Sequence, residues 1–165
     1  MTELVRAPFP ALDVRDLYDL LALRVRVFVS KHKPAYEMAD EWEKAQAAYE
    51  TMRALGRQLG EARLEVVSLN LLAFLTFNQQ DTDPQTVRRL LEEARRVAEE
   101  AGLKEALVET ECNLADVMSY WMGEYEYSAP LARKALASAQ TLGEERPDLI
   151  AQVLWTLARL EMLRG

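Results

Sequence analysis

One cysteine, one histidine, six glycines and six prolines are all that 165 residues hold of four residue types that often decide a fold or a site. The single cysteine, Cys112, excludes an internal disulfide framework and fits a reducing compartment, so the cytoplasm is the expected location. The single histidine, His32, lies between lysines in SKHKP and reads as an exposed turn residue rather than the base of a nucleophilic triad. Few glycines and prolines leave little material for the turns of a sheet. The apolar stretch LLALRVRVFV at 20–29 is broken by Arg24 and Arg26 and is too short to span a bilayer. The opening MTELVRAPFPALD lacks the apolar core of a signal peptide. A net charge of −7 leaves no clustered lysine and arginine to displace counterions, which argues against direct nucleic-acid binding. The mildly basic first 33 residues and the acidic middle of the chain read as solvated helical surface.

What is abundant points the other way. Half the residues are hydrophobic, and Ala, Leu, Glu and Arg dominate, a usage that favours helix. Glycines in RALGRQLG, AEEAGLKE and AQTLGEER place helix stops at Gly56, Gly102 and Gly143. Starts are marked by Asp13 before VRDLYDLLAL and by Asp83 before Pro84. Pro34 and Pro147 open two more helices. The segments predict about seven helices, at 13–31, 36–56, 60–79, 84–102, 104–122, 126–143 and 147–164. Short connections make neighbours antiparallel hairpins, so the expected fold is all-α. The fourth helix shows the required stripe, with Val87, Leu90, Leu91, Ala94, Val97 and Ala98 on one face.

The unit recurs. Aligning the three glycines places Ala48, Ala94 and Ala135 in register, and the preceding helices align through Leu72-Ala73, Leu114-Ala115 and Leu157-Ala158, in steps of 42 and 43 residues. Small residues at such positions let two helices cross closely. A fixed step predicts a stacked array of hairpins rather than a closed bundle.

The stretch NLADVMSYWMGEYEYSAPLARKALASAQTLG at 113–143 resembles a tetratricopeptide repeat, with its Leu-then-small pair, glycine and tyrosine at the turn, and spaced alanines afterwards. NLLAFLTFNQQDTDPQTVRRLLEEARRVAEEAG at 70–102 resembles a second copy with a longer turn, and 13–56 a degenerate first one. Steps above 40 residues are similar to the long-repeat arrays of bacterial signalling ATPases and LuxR- or MalT-type transcription regulators. The resemblance implies a right-handed α-solenoid: a leader at 1–12, hairpins at 13–56, 60–102 and 104–143, and an unpaired helix at 147–164. It also assigns the crowded YWMGEYEYSAP at 120–130 to a hairpin joint, with Gly123 turning and Tyr125 and Tyr127 packing back. Trp121 either seals that joint or stands exposed as a contact. Gly165 falls where a further turn should begin, so the expectation is a fragment of a longer protein or a homodimer through the C-terminal helix.

In such an array the first helices line an inner groove. Residues one turn from each Leu-Ala pair then become the candidate partner contacts: Asn70, Phe74, Phe77, Asn113, Asp116, Tyr120, Trp155 and Arg159, with Asn78 and Met162 beside them. Asn113 resembles the asparagine that some tetratricopeptide domains use to hold a peptide backbone. Phe74, Phe77 and Trp155 are equally readable as inter-repeat core. No catalytic, metal or cofactor motif accompanies them, and Cys112 reads as an inert packed thiol. The expected function is a noncatalytic module that binds a peptide, a partner protein or other domains of its parent. The alternative is a ligand- or peptide-sensing domain that controls an attached ATPase or DNA-binding domain.

Overall fold

The computed structural model describes residues 35–79, 82–142 and 146–164, with side chains from Trp42 onward. The chain divides into two compact units, Met1–Glu41 and Trp42–Gly165. The expected helix at 13–31, its Asp13 cap, Pro34, His32 and the Gly143 stop lie outside the described residues. What is described is helical, in six elements: α1 (Ala35–Leu59), α2 (Ala62–Phe77), α3 (Pro84–Glu100), α4 (Lys104–Met122), α5 (Tyr125–Thr141) and α6 (Pro147–Arg164). No strand occurs among the described residues. The class is all-α.

The local signals explain most boundaries. Asp83 has extended backbone, and its carboxylate accepts the Gln85 amide at 3.1 Å, while Pro84 occupies the first helical position, where its missing N–H costs nothing. Gly102 (φ 67°) and Gly123 (φ 65°) take the left-handed conformation that ends α3 and α4. Pro147 opens α6 as expected.

Gly56 does not stop a helix. Helix α1 runs on to Leu59, and the left-handed residue after it is Gly60, at φ 70°. Gly56 is buried instead, and a Cβ there would stand 2.8 Å from the Glu65 amide nitrogen of α2. It allows a close backbone approach of α1 to the start of α2. The buried stripe of α1 is Ala45, Tyr49, Met52 and Gly56, and Ala48 is exposed. The glycine register therefore matched the wrong alanine, because it treated a crossing glycine as a terminal one.

Two three-helix cores repeat the same plan. Val66, Leu69, Ala94, Val97 and Ala98 close α2 and α3, with Leu103, Ala106 and Leu107 of the next segment packed on them. Val108, Cys112, Ala135, Ala139, Leu149 and Val153 close α4, α5 and α6. Ala94 and Ala135 hold matching places and are fully buried. A third cluster joins the two sets through Ala73, Leu91, Leu114, Ala115, Met118, Leu131 and Leu160. From α2 onward, contacts run between successive helices and also from α2 to α4 and from α4 to α6. Ala73 and Ala115 are buried at those crossings, whereas Ala158, third in the register, is exposed on α6, with no described helix covering it.

Ion pairs lace the outer surfaces. Glu93 of α3 takes Arg53 of α1 at 2.6 Å and pairs also with Arg57. Lys134 of α5 reaches the fully buried Glu111 of α4 at 2.6 Å, and that pairing raises the lysine's pKa.

Candidate functional site

Helix α2 turns Asn70, Ala73, Phe74 and Phe77 toward α4, which answers with Asn113, Asp116 and Val117. Between them lies a cavity of about 260 Å³, floored by Val87 and Leu91 of α3 and closed at the far side by Arg159 of α6. Six of the eight residues expected in the groove therefore line one concavity. Tyr120 stands at its margin, 59% exposed, with the Arg159 guanidinium 5.9 Å from its ring centre. Trp155 does not line the cavity and points to solvent, 69% exposed.

The two asparagines are bound to the scaffold. Asn70 is buried; its Nδ2 donates to the Val66 carbonyl at 3.1 Å and to Thr110 Oγ1 at 2.8 Å. Its Oδ1 accepts from Asn113 Nδ2 at 3.0 Å, and Asn113 Oδ1 accepts from Gln152 Nε2 at 3.4 Å. This polar ladder crosses α2, α4 and α6 and uses most of the amide capacity that a peptide backbone would need. Next to it Cys112 and Thr156 meet at 3.0 Å, and burial pushes the thiol up to about 11 despite that hydrogen bond.

Asp116 and Arg159 form an ion pair in the cavity wall. Burial raises the Asp116 carboxyl above its ordinary range, and the guanidinium and Thr156 only partly offset it. Arg159 Nε is buried without a hydrogen-bond partner. The pair is thus partly desolvated and incompletely satisfied, unlike the exposed Arg96–Glu100 pair on α3.

The aromatics separate by role. Phe77 stacks on Trp121, ring centres 4.3 Å apart at 22°, so Trp121 seals the joint against the core. Tyr125 packs on the same core, and Tyr127 lies over the α3 surface, 5.8 Å from the Arg88 guanidinium. Phe74 is 51% exposed at the cavity rim. Sequence reasoning drew the groove from first helices alone and missed Val87 and Leu91, whose signal was the apolar stripe of α3.

Among the described residues no cluster of His, Cys, Asp or Glu could hold a metal ion, and no helix is long and apolar enough to cross a membrane. No protein-family model and no curated protein matches the sequence.

Proposed function

We propose that this chain is a noncatalytic interaction module, a right-handed tetratricopeptide-like solenoid whose α2–α4–α6 groove receives an apolar side chain from a protein segment. The solenoid reading is supported by the recurring cores and by the burial of Ala73 and Ala115 at successive crossings. The peptide reading rests chiefly on the cavity. Its walls are mainly apolar, with Phe74 and Tyr120 exposed beside it, and aromatic groups supply much of the energy at such contacts. At about 260 Å³ it falls below the roughly 300–1,000 Å³ of small-molecule sites. That favours a single anchoring side chain over a metabolite, and so the module over the sensor.

The occupied amides of Asn70 and Asn113 move the expected polar recognition to Asp116 and Arg159, the incompletely satisfied pair in the wall. Selection of displayed random peptides on the intact chain tests this reading. The enriched sequences should share one large apolar residue and bind Phe74→Ala or Tyr120→Ala about tenfold more weakly, as expected for loss of an anchor. Enrichment indifferent to both substitutions would remove the groove assignment.

A further inference from the structure

Helix α6 buries Leu149, Val153, Thr156 and Leu160. Its opposite side carries Ala151, Leu154, Trp155, Ala158 and Met162, all exposed, at the three- and four-residue spacing that forms one stripe. Leu154 is 51% exposed, Trp155 69% and Met162 82%. The charged residues on this face, Asp148 and Glu161, stand at its ends, so the stretch from Ala151 to Ala158 is uncharged. An uncharged centre with a charged border is the anatomy of an interface core and rim.

From this stripe we infer that α6 pairs with α6 of a second copy of the chain, antiparallel about a two-fold axis near Thr156 and Leu157. The order of large and small residues along the stripe favours this pairing. Antiparallel pairing about that point places Trp155 over the partner's Ala158, and Met162 over the partner's Ala151, and by symmetry the reverse. Trp155 and Met162 thus each meet a methyl-sized side chain and interlock with it, while Leu154, at the edge of the stripe, falls in register with the partner's Arg159. Parallel pairing sets Trp155 on Trp155 and Ala158 on Ala158, which clashes at one level and leaves a gap at the next. Shifting the antiparallel register by one turn puts Trp155 against Leu154 or Met162. The helix dipoles also oppose favourably in the antiparallel form. Ala158 occupies the register place that Ala73 and Ala115 fill at their buried crossings, so the second copy continues the packing rule of the array. This inference uses a different face from the groove and stands or falls separately from it.

One helix pair lies at the small end of interface sizes, so dissociation constants on the order of 10–100 µM are expected. Sedimentation equilibrium of the full chain should show the mass rising from 18.8 kDa toward twice that value as concentration increases. Trp155→Ala and Ala158→Arg should each weaken association at least about tenfold, with helical content unchanged because both sites are exposed. Mixing Ala151→Cys protein with Met162→Cys protein should give a covalent heterodimer with a short bis-maleimide linker, and neither alone should self-link. Cys112 is buried and stays out of that reaction. A monomer at all concentrations up to about 500 µM, where a weak contact of this size should form, overturns the proposal. So does association indifferent to both substitutions, which would put another face or occupant in its place, or self-linking of either single variant.

Discussion

Asn113 of α4 donates its side-chain amide to the Oδ1 of Asn70 on α2 at 3.0 Å, and through that bond joins two hairpins rather than a ligand. Asn70 is buried, so its three hydrogen bonds are made away from water, where an unpaired amide is costly.

Replacing Asn70 with alanine removes bonds to Val66, Thr110 and Asn113 together. The expected cost is about 1–3 kcal/mol, read from urea unfolding as a lower midpoint with an unchanged slope. Asn113→Ala should cost less, since its side chain is only part-buried. Full stability in the Asn70 variant would deny the ladder a structural role.

Gly56 supplies a second test. A methyl group there meets the Glu65 backbone nitrogen at 2.8 Å, and backbone cannot swing aside as a flexible side chain can. Gly56→Ala should therefore destabilise by roughly 1–3 kcal/mol, although alanine is the better helix former. A stabilised variant, seen as a raised melting temperature, would mean that α1 and α2 are not so close.

The Asp116–Arg159 pair makes a pH-dependent prediction. The folded-state pKa of Asp116 lies above its unfolded value of 3.8, because burial outweighs the guanidinium. Its contribution to stability is therefore full below pH 3.8 and is lost as pH rises through the raised folded value. The stability of the native chain minus that of Asp116→Asn should fall with pH across this window and then level off. A difference that rises with pH would mean that Arg159 dominates the carboxylate instead.

Cys112 should be inert. Its thiol is fully buried and raised from 9.0 to about 11, so at a given pH near neutrality the thiolate fraction is about a hundredfold lower than for a free cysteine. Alkylation by iodoacetamide at pH 8 should be at least that much slower in the native chain than in urea. Equal rates would contradict the packed Cys112–Thr156 contact.

The sequence alone settled the helical class and many element ends. Asp83-Pro84, Gly102 and Gly123 act through their own backbone and nearest neighbours, so their meaning survives without tertiary context. Periodicity likewise marked the buried faces of α3, where Val87, Leu91, Ala94, Val97 and Ala98 all pack inward. Six of the residues that line the cavity were legible for the same reason, lying within about one turn of the Leu-Ala pairs. Tertiary structure decided what depends on distant partners. It made Gly56 a crossing residue rather than a stop, and left Ala158 bare while Ala73 was covered. It also gave the amide of Asn113 to Asn70 and Gln152, and set Val87 and Leu91 beneath the groove. Local backbone chemistry is written residue by residue, but a side chain's employment depends on which helix arrives opposite it.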